Sequence, residues 1–274
     1  MKITTVMEDT IQKEGLCAEH GLSVYVETKH HKLLVDTGAS EKTWENARAL
    51  GIELKDIDLV ILSHGHYDHG GGLQSFVKIN PNARIYLHKE AGGPYYNLKN
   101  GQEKYIGIEP SLMTLSQIVP LAGDTRIDEE IFVFSEGLKR RMWPAGNETL
   151  KKKENGRWVP DDFCHEQYVV LEEDGEYTLI SGCAHRGILN ILERFHEIYG
   201  RYPVAVYSGF HLNKDGYTKE EIQAIEDTAK ELGQTGCEFY TGHCTTEPAL
   251  SVFREILGER FHYLGKKANN IINE

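Results

Sequence analysis

Residues 63–72 read Ser63-His64-Gly65-His66-Tyr67-Asp68-His69-Gly70-Gly71-Gly72. Four metal-ligand side chains, His64, His66, Asp68 and His69, fall within six positions. The apolar run Leu59-Val60-Ile61-Leu62 leads into them, and a three-glycine turn and a predicted helix follow. Four such groups where a buried strand gives way to a loop are costly as plain structure. Imidazole nitrogens and carboxylates are the usual ligands of Zn²⁺, Fe or Mn²⁺. Side chains alternate along an extended strand, so His64 and His66 point to one side and reach one ion. A turn at Tyr67 carries Asp68 and His69 toward a second ion. Gly65 and the run 70–72 allow the backbone conformations of so crowded a turn. The clustering and the strand–Gly–helix context disfavour a histidine-rich surface loop.

The order His-x-His-x-Asp-His resembles the metallo-β-lactamase superfamily. The resemblance implies that His64 and His66 bind a first metal and that Asp68 and His69 bind a second. It does not imply an antibiotic substrate. Upstream, residues 2–6, 22–28 and 32–36 read as strands, the third ending in Val35-Asp36-Thr37-Gly38. An aspartate there can be a simple turn cap. The resemblance implies more, placing Asp36 beneath the metals, where it orients their ligands. Ser40 is the expected cap of a helix with Trp44, Ala47 and Leu50 inward, and Gly51 stops it. Downstream, Leu73, Phe76 and Val77 form the buried face of a helix ending near Asn80-Pro81, and residues 84–88 form a strand. The alternation indicates a layered α/β fold.

From about 89 to 128 the pattern fails. Tyr95 and Tyr96 in this stretch are candidates to stack on a flat substrate, with a packed surface insertion as the equal alternative. Residues 131–134 return to strand. A second irregular stretch, about 137–163, holds Lys139-Arg140-Arg141, Trp143 and Lys151–Lys153. The lysines read as a solvated face. Arg140 and Arg141 beside Trp143 are candidates to hold a phosphate or a ring.

The chain then repeats its plan. Strands at 167–172 and 177–181 flank the turn signal Asp174-Gly175, and Gly182-Cys183-Ala184-His185 opens a helix over Ile188–Ile198. A strand at 204–207 leads to Gly209-Phe210-His211. Thr218 and Glu221 make a capping box for the next helix. A strand at 237–241 leads to Gly242-His243-Cys244, and Pro248 starts the last helix. Four predicted strands thus end in a histidine-bearing glycine turn, at His64, His185, His211 and His243. Strand ends gathered on one edge are the usual site of an α/β protein.

The resemblance supplies the rest of the expectation. It implies an αββα sandwich, two mixed β-sheets packed face to face between outer helices. Residues 1–274 are read as one domain, with an insertion at about 89–128. A histidine should complete each metal site and an aspartate should usually bridge the ions. His185 is the first-site candidate, ahead of His165, and His243 the second-site candidate. Where the bridging aspartate should follow the strand ending at Gly182, the chain has Cys183. A thiolate can bind zinc or iron, so Cys183 joins the candidate ligands. Asp68 is also a candidate to orient a shared water or take its proton. His211 is read as a substrate-holding or proton-donating group rather than a ligand. His20, near Gly21, can approach the site. The other histidines have no such context.

Composition sets limits. The 274 residues are 40% hydrophobic and 26% charged, with net charge −12, a poor balance for general nucleic-acid binding. No apolar run approaches the ~20 residues of a membrane span, and the N-terminus lacks a signal peptide, so the cytoplasm is the expected location. Five cysteines without a Cys-x-x-Cys pair fit reduced thiols. Three of them, Cys164, Cys183 and Cys244, lie beside histidines.

Read with residues 63–73, the segments 182–191, 209–212 and 242–245 are similar to one branch of the superfamily. These are the metal-dependent hydrolases of the β-lactamase superfamily II, which include proteins named 7,8-dihydropterin-6-methyl-4-(β-D-ribofuranosyl)-aminobenzene-5′-phosphate synthase. The resulting expectation is a metal-dependent hydrolase, or a transferase, with one or two divalent ions, Zn²⁺ ahead of Fe or Mn²⁺. Its substrate would be a small phosphorylated or pterin-like molecule. The alternatives are an iron-dependent redox partner protein, motivated by the cysteines, and a nuclease or phosphodiesterase of the same superfamily.

Overall fold

A computed structural model describes residues 1–264 apart from Gln12, Leu138 and Asp215. The first half supplies β1 (Lys2–Met7), β2 (Ser23–Glu27), β3 (Lys32–Val35), α1 (Lys42–Ala49), β4 (Leu59–Ile61), the single turn α2 (Tyr67–Gly70), α3 (Leu73–Ile79) and β5 (Arg84–His88). The middle holds β6 (Tyr95–Lys99), β7 (Gln102–Tyr105), β8 (Ile118–Leu121), β9 (Thr125–Arg126), β10 (Ile131–Phe134), β11 (Leu150–Glu154) and β12 (Arg157–Pro160). The remainder is β13 (Tyr168–Glu173), β14 (Glu176–Ser181), α4 (Ile188–Tyr199), β15 (Ala205–Ser208), α5 (Lys219–Gly233), β16 (Glu238–Thr241), α6 (Ala249–Leu257) and β17 (Phe261–Tyr263).

Period-two alternation sorts the side chains into layers. Leu33 and Val35 of β3 and Leu59 and Ile61 of β4 face Val169, Leu171 and Ile180 of the opposite sheet. Their neighbours Leu34 and Val60 face outward, against Trp44 of α1 and Phe76 of α3. On the far side, Leu179 and Val206 meet Ile191, Leu192 and Phe195 of α4 and Phe253 of α6. The architecture is therefore the αββα sandwich of two mixed sheets. The first has the order β1-β2-β3-β4-β5-β8 and the second β17-β16-β15-β14-β13-β10-β9. Strands β3, β4, β5 and β8 run parallel, as do β14 to β17, so each set delivers its C-terminal turns to one edge.

Local signals mostly hold. The Thr218–Glu221 capping box forms at α5. Asp174 and Gly175 both take positive φ, 53° and 78°, as the tight hairpin between β13 and β14 requires. Ser40 is not the N-cap residue of α1. That place belongs to Glu41, while the Ser40 hydroxyl accepts from the Lys42 N–H at 3.3 Å and donates to Glu19 at 2.6 Å.

The two stretches without sequence pattern are ordered into strands. β6, β7, β11 and β12 form a separate antiparallel sheet, order β12-β11-β6-β7, so Lys151–Lys153 lie in a strand rather than a loop. These strands carry charged, exposed positions, Gln102–Tyr105 along their whole length, so the hydrophobic alternation that marks a strand is missing. One face still buries Tyr95, Ile106, Leu150 and Phe163 together. The small sheet is stitched to the histidine motif by Tyr67 N–H to Ile106 O at 2.8 Å and Ile108 N–H to Gly65 O at 3.0 Å. Among the described residues, no helix is long and apolar enough to cross a membrane.

A buried asparagine fixes the loop between β1 and β2 that the centre depends on. Asn46 of α1 donates to Val6 O and Cys17 O, both at 2.8 Å, and accepts from Cys17 N–H at 2.7 Å. Asn46→Ala leaves these backbone groups without partners, and urea unfolding should show a loss of about 2–3 kcal/mol. A loss under about 0.5 kcal/mol would mean that water or a shifted chain satisfies them.

Candidate metal centre

The centre lies where β3, β4, β14, β15 and β16 end. Beyond β4 the chain needs glycine at position 65, since a Cβ there would stand 2.2 Å from Ala91 O. The α2 turn then brings Asp68 and His69 back beneath His64. Asp36, buried at the end of β3 with φ 62°, receives this turn. Its carboxylate accepts from Ser63 N–H and the Ser63 hydroxyl, both at 2.7 Å, and lies 2.6 Å from His69 Nδ1.

Partner chemistry fixes the tautomers of four buried imidazoles. Asp36 and Asp9 are acceptors, so His69 Nδ1 (2.6 Å) and His243 Nδ1 (2.6 Å) carry the protons. Ser63 Oγ donates to Asp36, so it accepts from His64 Nδ1 at 2.9 Å. Asn147 Nδ2 donates to His185 O, leaving its Oδ1 to accept from His185 Nδ1 at 3.0 Å. In the neutral rings all four Nε2 atoms are then lone-pair acceptors turned inward. Yet His64 Nε2 lies 3.3 Å from His185 Nε2, and His69 Nε2 lies 3.2 Å from His243 Nε2. Two acceptors at that distance repel unless a proton or a cation lies between them. Asp68 Oδ2 stands 3.4 Å from His243 Nε2 and 3.7 Å from His69 Nε2, and Cys183 Sγ lies 3.1 Å from His69 Nε2.

The ligand atoms of Asp68, His69, Cys183 and His243 all lie within 4.8 Å of one another, and so do those of His64, Cys183 and His185. Cys183 belongs to both groups and sits at their junction. This donor set fits divalent metal. His66 stands slightly apart. Its ring is 4.6 Å from that of His64 and 4.8 Å from that of His185, its buried Nε2 has no hydrogen-bond partner, and Asp161 is 4.0 Å away. His165 is engaged at both nitrogens, accepting from Gly65 N–H at 3.0 Å and meeting Asp161 at 3.3 Å.

Burial and the neighbouring imidazoles push His64 and His185 well below the ordinary histidine range and His66 down to about 3, which keeps them in the neutral, ligand-competent form. Burial alone would raise Asp68, but His69 and His243 hold its carboxyl far below the usual range. Burial would lower His243, and the carboxylates of Asp68 and Asp9 override it and raise the ring. Burial, with Cys244 alongside, pushes the Cys183 thiol up.

Several supporting residues carried no signal in the sequence. Glu8 accepts from His243 N–H at 2.6 Å. Asp9 bridges His243 and His20, whose ring stacks on His243 at 5.0 Å with Nε2 3.5 Å from Asp68. Glu166 accepts from the backbone N–H groups of His185 and Arg186. All are acids in loops, and only the fold carries them to the histidines.

A cavity of about 550 Å³ opens over the centre, and His66, Asp68, Cys183, His185 and His211 form part of its wall. Three lysines, Lys99, Lys104 and Lys214, line it as well. The arginines and tyrosines singled out in the sequence lie elsewhere. Arg140 packs on Trp143 at 4.1 Å, and Arg141 pairs with Glu231 at 2.7 Å. Tyr95 is buried, donating to Glu90 O and packing 4.0 Å from the His165 ring. Tyr96 sits on the small sheet between Tyr105 and Trp158. None of the four lines the cavity.

The chain is similar to known proteins of one family. The family profile described as the metallo-beta-lactamase superfamily matches residues 18–229. A 7,8-dihydropterin-6-methyl-4-(beta-D-ribofuranosyl)-aminobenzene-5'-phosphate synthase of Methanocaldococcus jannaschii is 30% identical, over 96% of this chain and 94% of its own length. A crystal structure described as a metal-dependent hydrolase of the beta-lactamase superfamily superposes with a TM-score of 0.79 at 30% identity, covering 96% of this chain and 95% of the other. A metallo-beta-lactamase fold protein from Bacillus subtilis, at 12% identity and TM-score 0.56 over 96% of this chain and 95% of its own, shares the fold. The chain belongs to the metallo-beta-lactamase superfamily.

Asp36→Asn tests the support beneath the centre. The amide offers one acceptor oxygen where the chain supplies three donors, so the His69 tautomer is no longer fixed. Competition titration with a chelating dye should show metal affinity reduced about 10- to 100-fold with the circular dichroism spectrum kept. Unchanged affinity would reduce Asp36 to a turn residue.

Proposed function

We propose that this member of the metallo-beta-lactamase superfamily is a metal-dependent hydrolase acting on a small anionic molecule, phosphorylated or pterin-like. In this reading residues 1–274 act as one domain in the cytoplasm. His64, His66 and His185 hold one divalent ion and Asp68, His69 and His243 a second, with Cys183 between them. Zn²⁺ is favoured over Fe or Mn²⁺, because a mixed imidazole, carboxylate and thiolate set suits it. The observation that carries the reading is the pair of inward Nε2–Nε2 approaches, each held in place by an anchored Nδ1.

Bound ions supply Lewis-acid activation of a water and of the electrophilic centre. The chain's own residues do the rest. Asp68, whose carboxyl His69 and His243 hold far below the usual range, stays ionised and orients the attacking water. His211 stands on the cavity wall with its ring 4.1 Å from His185, where it donates a proton to the leaving group or holds the substrate. Lys99, Lys104 and Lys214 give the mouth local positive charge on a chain of net charge −12, which draws an anionic substrate inward. Lys104 is placed by Tyr67, whose hydroxyl is 3.3 Å away, and Lys214 by Glu221. The Methanocaldococcus jannaschii relative bears the name of a pterin-related phosphate synthase, which supports the phosphate and leaves transfer beside hydrolysis as the reaction class. The relatives' names, a synthase and a metal-dependent hydrolase, favour an enzyme over the redox-partner reading, and the net charge of −12 disfavours a nuclease.

Elemental analysis of protein purified without chelator should find about one to two Zn, Fe or Mn ions per chain. His64→Ala should lower that content and abolish turnover of phosphomonoester, phosphodiester and carboxylic ester probes. A His64→Ala protein that matches the unsubstituted one in metal and turnover would sink the proposal. Reversing the rim charge with Lys104→Glu and Lys214→Glu together should raise KM for an anionic probe roughly tenfold, about 1.4 kcal/mol, with KM for a neutral ester unchanged. Equal effects on both probes would speak against an anionic substrate.

A further inference from the structure

Cys244 takes no part in the centre described so far, yet its sulfur points into it. It follows His243 in the turn after β16, one strand from the turn after β15 that carries His211 and two from the turn that carries Cys183. We propose that Cys244 and His211, together with Cys183, form a soft-metal subsite that adjoins the paired centre, taking a thiophilic divalent ion through two sulfurs and His211 Nδ1. The proposal rests on the reading that the centre binds metal and adds ligands to it.

Four observations converge. The ligand atoms of Cys183, His211 and Cys244 lie within 4.8 Å of one another. His211 Nδ1 is buried and has no hydrogen-bond partner, although an imidazole nitrogen shut away from water normally finds one. Position 209 must be glycine, because a Cβ there would come 2.3 Å from Cys244 Sγ; the backbone is hollowed where the sulfur sits. The backbone N–H of His211 points at Cys244 Sγ from 3.3 Å, which fixes the sulfur beside the imidazole.

The turn that presents these groups is held from both sides. His211 takes φ 48° and His243 φ 49°, conformations that non-glycine residues adopt only when the surroundings impose them. Phe210 N–H donates to Thr245 Oγ1 at 2.7 Å, and Leu212 bridges to Thr245. A cysteine kept only for packing behaves as a small hydrophobe and requires neither an unpartnered imidazole nor a strained backbone beside it. The third histidine-flanked cysteine, Cys164, is half-buried and outside these groups.

The test adds Co²⁺ to metal-free, full-length protein in which Cys17 and Cys164 are changed to Ser, and reads near-ultraviolet sulfur-to-cobalt charge-transfer absorption together with bound metal. If both sulfurs are ligands, Cys244→Ser and Cys183→Ser should each remove about half of the band and the double variant all of it, since only thiolates give it. His211→Asn should weaken Co²⁺ binding while the band per bound ion persists. Cys244→Ser with full Co²⁺ uptake and an undiminished band overturns this inference and leaves the proposed function standing. No Co²⁺ uptake by the parent protein overturns both. Should Cys244→Ser fail to fold, a zinc-loaded crystal structure of the unsubstituted chain with anomalous data decides. Both sulfurs at about 2.3 Å from one ion support the subsite, and a Cys244 sulfur beyond about 3 Å from every ion overturns it.

Discussion

The structure turns on anchoring the outer nitrogen of buried imidazoles. A partner on its outer nitrogen fixes how an imidazole faces a cation, and for His64, His69, His185 and His243 that nitrogen is tied to a group from a different place in the chain. Asp36 comes from the end of β3, Ser63 from the end of β4, Asp9 from the loop after β1, and Asn147 from the segment before β11. These ties set ring orientation and remove rotamer freedom before any ion arrives, which is how supporting groups tune a metal site. They also explain why the N-terminal loop and the segment leading into the small sheet belong to the centre.

Charge is distributed to match. In the proposed ligand set Asp68 is the one carboxylate, and further carboxylates, Asp9, Asp36 and Asp161, stand behind the imidazoles. A carboxylate behind an imidazole raises its basicity toward a metal without occupying a coordination position. Meanwhile the lysines stand at the cavity mouth, away from the ions, where they attract an anion without competing for the donors. Burial keeps the two layers distinct, because a neutral imidazole is cheaper to bury than a charged one.

The strand–turn–helix core of this arrangement was legible in the sequence because it rests on local rules. Residues 58–73 pack a strand end, four ligand side chains and glycines into one window, and the later turns at His185, His211 and His243 repeat that grammar. The sandwich followed from the family resemblance, and the structure carries it. What escaped were the pieces set by non-local contact. β11 and β12 are strands because they complete a sheet with β6 and β7, and their lysine-rich outer face hides the alternation. Tyr95 looked like a substrate platform by composition but was drawn inward to cover His165. Arg141 looked like a phosphate ligand by its neighbours but found Glu231 on α5. Asp9, Asn147 and Glu166 are single polar residues in loops, and nothing in their own windows separates them from solvated acids and amides.

Strain and unmet donors at the centre together carry a thermodynamic consequence. Asp36, Ala184, His211 and His243 all hold left-handed backbone at the strand ends, φ 62°, 53°, 48° and 49°, and each such residue costs on the order of 1 kcal/mol or more. The inward lone pairs of His64 and His185 at 3.3 Å add repulsion of their own. A metal that meets those lone pairs removes the repulsion and leaves the strain compensated by coordination, so binding and folding draw on the same free energy. The metal-free chain pays for a preformed site in stability, and the loaded chain recovers it by mass action in proportion to ion concentration over dissociation constant.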